Sequence, residues 1–129
     1  MSTSSYKTDA LEAKKKLEQI SPTMCLAKWN QTSLHLPTGL TNSCYHPPLH
    51  EIDADAVKLN PAALHNTAEK LNQRQQMLQG EQPEGCSYCW NMEKTGEMSD
   101  RHYRSGEPWA MQDFEDIRKN PIDEHWTPR

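Results

Sequence analysis

The 129-residue sequence predicts a small α+β fold in which one β-hairpin sits among three or four helices, held by a staple rather than by a large apolar core. Three observations predict it. Leu, Ile, Val and Phe together number 17, about 13% of the chain, a share too small to bury much apolar surface. Four Trp, four Tyr and six Met add area, yet the mean hydropathy is -0.98. The apolar residues that are present recur at helical spacing in several stretches and alternate in one. Finally, the chain has four cysteines. Chains this poor in aliphatics depend on disulfides, a metal site or a partner.

The elements follow in order. Residues 1–7 read as a loose tail. "TDALEAKKKLEQI" predicts a helix over 8–20, capped by Thr8 or Asp9, with Ala10, Ala13, Leu17 and Ile20 on one face. Half of that face is alanine, so the helix is weak. Ser21-Pro22 stops it, because a residue before proline is pushed out of the helical region. Residues 31–44, "QTSLHLPTGLTNSC", predict the hairpin. Leu34 and Leu36 alternate with polar neighbours, Gly39 is free to take a positive φ in the turn, and Leu40 and Thr41 begin the return strand. A lone hairpin is marginal in water. Cys25 before it and Cys44 at its end stand where an anchor acts best.

"YHPPLHEI", from Tyr45, reads as an extended proline-bearing loop, and residues 53–59 as one or two helical turns. The strongest helix spans 60–80, with Asn60 as cap, Pro61 at its first position and Gly80 at its end. Leu64, Ala68, Leu71 and Leu78 form its apolar stripe, and the rest of it reads as solvated. "WNMEKTG" suggests one or two turns and "EMSDRHYRSGE" a polar loop. Pro108 opens a last helix to Lys119, with Ala110, Phe114 and Ile117 on one face, and Asn120-Pro121 ends it. The domain reading is a tail at 1–7, a module at 8–119 and a linker at 120–129.

The N-terminal stretch has no apolar h-region, and no stretch approaches the roughly 18 apolar residues of a membrane span. These features predict a cytoplasmic chain with no membrane partner. In that reducing compartment thiols stay free or bind metal. A net charge of -4 argues against nucleic acid as a main partner.

The cysteines fall as Cys25-x18-Cys44-x41-Cys86-x2-Cys89. A CxxC pair lets two thiolates converge on one centre, and the other ligands can come from anywhere the fold brings close. Cys25, Cys44, Cys86 and Cys89 are therefore the expected ligand set. Four thiolates suit zinc or an iron–sulfur cluster. Competing readings are two disulfides, unrelated buried thiols, or a thioredoxin-like redox pair, although the βαβ setting of the last is missing. His46 and His50 flank Pro47, Pro48 and Leu49, so either could replace a sulfur ligand; solvent-facing loop histidines are the plainer reading. Trp29 and Trp90, close to cysteines, are expected to shield the site from water. Arg101 and Arg104 suit an anion or carboxylate, against the more ordinary reading of a solvated loop. No residue has the set partner of a general acid or base, so no catalytic residue is named.

Cys25-x13-Gly39-x4-Cys44 resembles the C-x(9–15)-G-x4-C signature of the twitch and SPASM auxiliary-cluster domains of radical SAM enzymes. From about residue 21 to the end, the stretches "MCLAKWNQTSLHLPTGLTNSCYHPPLHEI", "NPAALHNTAEKLNQRQQMLQGEQPEGCSYCWNMEK" and "SDRHYRSGEPWA" resemble the N-terminal part of phage and environmental twitch-domain radical SAM proteins. The resemblance implies a hairpin with a glycine turn and cysteines at its open end. It implies an auxiliary cluster, [4Fe–4S], completed by Cys86 and Cys89, as an electron relay or structural platform. It also implies a radical SAM catalytic domain as partner, in cis or in trans, and a host cytoplasm if the chain is phage-encoded. The chain departs from the family in lacking C-x3-C-x2-C: Gln82 stands four residues before Cys86. S-adenosylmethionine is then expected only in a larger parent protein, and this chain is the auxiliary portion, a fragment or a separate module. A structural zinc module for protein interaction and a free-standing adaptor that docks on a host enzyme remain the alternatives.

Overall fold

A computed structural model describes residues 3–44, 46–123 and 125–127. Helix α1, Thr3–Glu18, begins ahead of the predicted cap, so residues 3–7 are helical rather than a tail, and residues 1 and 2 lie outside the described residues. Nothing between Thr3 and Lys7 breaks a helix, and extending one costs little once it is nucleated. Ala10, Ala13 and Leu17 are buried, and Ile20 packs against the core. This face lies along α6, Asp100–Ser105. The approach is close: a Cβ on Gly106 would stand 3.0 Å from the Asp9 carbonyl oxygen.

After Ser21 the chain turns into α2, Ala27–Asn30, four residues that are all buried. The hairpin follows as β1, Ser33–His35, and β2, Leu40–Asn42, with Leu34 opposite Thr41. Gly39 takes φ +69° in the turn. A third strand, β3, His50–Glu51, pairs antiparallel with β2 and gives the order β1-β2-β3. The sequence pattern hid it because it is two residues long and follows two prolines. Tyr45, in the predicted loop, lies outside the described residues. Leu34 and Leu36 face water, Leu36 with 69% of its surface exposed, Leu40 is half-buried, and Thr41 and Asn42 are buried. Hydrogen bonds hold the buried pair: Thr41 Oγ1 donates to Ser33 O (2.6 Å) and accepts from Lys70 Nζ (2.9 Å), and Asn42 Nδ2 donates to Pro47 O (2.9 Å).

Helix α3, Ala54–Leu59, is capped by Asp53, whose Oδ1 accepts from the Asp55 and Ala56 amides. The predicted helix over 60–80 comes in two pieces, a 3-10 turn at Pro61–Leu64 capped by Asn60 and α4, Ala68–Leu78. Thr67 divides them. Its backbone leaves the helical region (ψ 159°), and its Oγ1 accepts from the Lys70 amide at 3.2 Å. Threonine competes well for this capping position. Gly80 follows at φ +79°. The buried face of α4 is Lys70, Gln73, Arg74 and Met77. Of the predicted stripe, Ala68 is exposed and Leu64, Leu71 and Leu78 are only half-buried.

A 3-10 turn at Glu84–Cys86 runs into α5, Ser87–Lys94, so the second cysteine of the CxxC lies in its first turn. The predicted loop at 97–107 contains α6, started by the Ser99 amide donating to His102 Nδ1 (3.1 Å). The last predicted helix is split into α7, Pro108–Met111, and α8, Phe114–Lys119; Ala110, Phe114 and Ile117 are buried. Beyond α8, Pro121 O accepts from Trp29 Nε1 (2.8 Å), and Trp126 Nε1 donates to Trp29 O (3.0 Å) and Asn30 Oδ1 (3.2 Å). Pro121 and Trp126 thus lie against α2.

The fold is α+β, 53% helical and 7% strand, with eight short helices among the described residues rather than three or four. Its core gathers Leu17, Met24, Leu26, Trp29, Met77, Trp90, Phe114 and Ile117 around three buried cysteines, Cys25, Cys86 and Cys89.

Candidate metal centre

Each cysteine sits in a segment tied to the rest of the fold by hydrogen bonds. Before Cys25, Ser21 Oγ and Thr23 Oγ1 both donate to Met77 O, the second at 2.9 Å, tying the loop to α4. Met24 O accepts from Arg101 Nη1 (2.7 Å), and the Leu26 amide donates to Ser105 Oγ (3.0 Å). Cys44 follows β2, where its neighbour Ser43 accepts from Lys28 Nζ at 2.8 Å. Cys86 and Cys89 sit on the turn into α5, closed by Trp90 Nε1 donating to Pro83 O at 2.8 Å.

The four side chains, from three separate stretches of sequence, line one pocket with about 440 Å³ of atom-free space, mouth included. Lys28, Met77, Trp90, Asp100, Arg101 and Arg104 share its wall. Cys25, Cys86 and Cys89 are buried, whereas Cys44 is half-buried. All four are free thiols, so the disulfide reading has no support in this conformation. Among the described residues, no three His, Cys, Asp or Glu side chains are placed to hold a single metal ion.

Burial pushes up the thiols of Cys25, Cys44 and Cys89. Cys44 reaches about 12 and Cys89 about 11, with the neighbouring Cys25 adding like-charge repulsion in each case. Cys25 is raised by burial and then by Cys86. Only a bound cation repays removing these protons together.

The positive side chains around the pocket are of two kinds. Arg101 is neutralised: its Nη2 lies 2.7 Å from Glu93 Oε1, its Nε donates to Glu93 Oε2 (3.0 Å), and its guanidinium stands 5.5 Å from the Trp90 ring centroid. It is buried, so the solvated-loop reading is corrected in favour of carboxylate contact. Among the described residues Lys28 has no such partner; its Nζ donates to Ser43 Oγ and Gln73 Oε1, each at 2.8 Å. Lys70 and Arg74 lie behind it in α4. Lys70 donates to Thr32 and Thr41, and its amine is lowered to about 7 by burial and then by Arg74 and Lys28. Arg74, lowered to about 10 by burial, donates to Lys28 O and stands 5.7 Å from the Trp29 ring centroid.

His46 lines the pocket, but its Nε2 is 2.7 Å from Asp100 Oδ2 and its ring stacks on Tyr88 at 4.1 Å between centroids. His50 lies elsewhere, in a groove against α4, between Thr67 Oγ1 (2.6 Å) and Glu69 Oε2 (2.9 Å). Its reading as a substitute ligand is therefore corrected. Trp90 walls the pocket; Trp29 does not, and packs instead between Arg74 and the 121–126 segment. Sequence reading missed Lys28. No spacing in the sequence marks it, because its burial depends on Ser43 and Gln73 from other segments.

No family model matches the chain, and neither a curated protein nor a solved structure matches it. Among the described residues, no helix is long and apolar enough to cross a membrane.

Proposed function

We propose that this chain binds one iron–sulfur cluster, [4Fe–4S], through Cys25, Cys44, Cys86 and Cys89, as the auxiliary, non-catalytic part of a radical SAM protein. The observation that carries the reading is the gathering of four distant thiols around one pocket whose wall also holds Lys28, Arg101 and Arg104. The donor set fits the group. Soft thiolates select iron–sulfur centres or zinc. Around one zinc, with bonds of about 2.3 Å, tetrahedral sulfurs stand about 3.8 Å apart. In a cubane each thiolate holds a different iron, so wider spacing is required. The thiols alone suit either group; the Cys25-x13-Gly39-x4-Cys44 resemblance favours the cluster over zinc.

The chain's own residues have clear parts in this reading. Cys25, Cys86 and Cys89 supply buried ligands and Cys44 the ligand at the mouth. Trp90 and Met77 exclude water, which shifts a cluster's potential. When bound, the cluster supplies one-electron transfer or a rigid anchor, and four cysteine ligands leave no iron open for S-adenosylmethionine. That cofactor belongs to a catalytic domain, in cis or in trans, in the cytoplasm.

The test is anaerobic purification followed by iron, sulfide and zinc analysis. Four iron and four sulfide per chain, with brown colour, are expected. A colourless protein carrying one zinc and no sulfide would overturn the reading in favour of a structural zinc module.

A further inference from the structure

Lys28 is 1% exposed, on a four-residue helix whose other members are also buried. Its backbone amide donates to Cys25 O at 3.2 Å. Its side chain reaches Ser43, the residue before Cys44. One residue therefore touches the supports of two proposed ligands and lines the pocket they share. Removing an ammonium from water costs several kcal/mol unless an opposite charge answers it. Ser43 and Gln73 are neutral, and among the described residues no carboxylate forms an ion pair with Lys28. Lys28 thus stands beside Lys70 and Arg74 with no carboxylate on its own ammonium, while Asp123 acts on Arg74 from nearby.

Resting on the cluster reading above, we infer that Lys28 is the counter-ion of the four-cysteine centre and raises the reduction potential of the bound cluster. A cluster held by four thiolates is anionic and gains one more negative charge on reduction. A fixed cation in a low-dielectric wall stabilises the more negative state more strongly. Arg101 borders the same pocket, but Glu93 already neutralises it. Lys28 therefore exerts the larger effect.

The test is potentiometry, monitored by electron paramagnetic resonance, on the anaerobically reconstituted full chain. Lys28→Met removes the charge at similar length. Its midpoint is expected to fall by the equivalent of a tenfold change in the oxidised-to-reduced ratio, about 59 mV for a one-electron couple. Lys28→Arg should stay near wild type. Gln73→Glu keeps Lys28 but sets a carboxylate against its ammonium; its midpoint should fall as well, which covers the case in which Lys28→Met does not load. Loaded variants with the wild-type midpoint would overturn the inference and leave the cluster reading standing. Wild-type protein that takes up no iron and sulfide would overturn both.

Discussion

Helices α1 and α4 are the two longest in the molecule, and they are buried for opposite reasons. Helix α1 presents Ala10, Ala13 and Leu17 to α6, and that face is the one its apolar spacing marks. Helix α4 turns Lys70, Gln73, Arg74 and Met77 inward and leaves Ala68 to solvent. The first is held by removing apolar area from water. The second is held by hydrogen bonds and charge: Lys70 to Thr32 and Thr41, Gln73 to Lys28, Arg74 to Lys28 O. Apolar periodicity predicts orientation only where area is the driving term. Where a helix faces buried charge, the polar residues hold the inner positions.

The largest effect should come from the side of α4. Cys89→Ser removes one of four ligands in a core otherwise short of aliphatics. Because binding free energy at such a site is also folding free energy, the variant should lose metal and melt at a markedly lower temperature than the loaded protein. Metal analysis and a thermal melt check this together. A metal-free variant with the wild-type melting curve would show that α4 and the hairpin stand without the centre.

Leu17→Ala tests the other side. Leu17 is fully buried, and truncating a leucine at such a site costs about 2–5 kcal/mol. Denaturant unfolding should show the loss with and without metal, because α1 lies along α6, although Leu17 belongs to the same buried cluster as Cys25, Cys86 and Cys89. A loss seen only in the metal-bound protein would join the two regions into one.

The contrast also explains what the sequence disclosed. The hairpin was legible because alternation, a Pro-Thr-Gly turn and flanking cysteines coincide, and Gly39 takes the positive φ such a turn needs. The Ala110, Phe114 and Ile117 face was legible as apolar spacing, although its helix is split. Helix α6 was not, since its inward residues are Arg101, His102 and Ser105, and its cap depends on a histidine. The break at Thr67 was hidden because a threonine inside a helical pattern looks the same whether it continues the helix or caps it. Spacing alone pointed to four cysteines as a set. It could not point to Lys28, Lys70 and Arg74, whose burial follows from tertiary pairing.

Acidity probes α4 more gently. The Lys70 amine is lowered to about 7 in the fold against 10.5 ordinarily. Between those values the unfolded chain carries a proton that the folded chain lacks, so stability rises with pH. Above about 9, Cys89 and Cys44 hold protons that unfolded thiols release, and the trend reverses. Metal-free protein should therefore gain stability from about pH 7 to 9, by at most about 1.4 kcal/mol per unit. Lys70→Met should flatten that window. His102, lowered to about 4 by burial and then Arg101, acts separately: stability falls as pH drops from 6.5 towards 4. Urea midpoints across the range separate the two slopes, and an equal rise in Lys70→Met would rule out Lys70 as its source.

The smallest effect is the sharpest test of orientation. Ala68 belongs to the stripe that the sequence directs at the core, yet it is exposed at the first position of α4. Ala68→Glu should change stability by no more than about 0.5 kcal/mol, and a carboxylate in a first helical turn is, if anything, favourable. Placed in a core, the same substitution would bury an unpaired charge and cost several kcal/mol. A large loss in Ala68→Glu would mean that α4 is rotated to bury its alanine and leucines. Lys70 and Arg74 would then face water, and the buried cations beside the four cysteines would be gone.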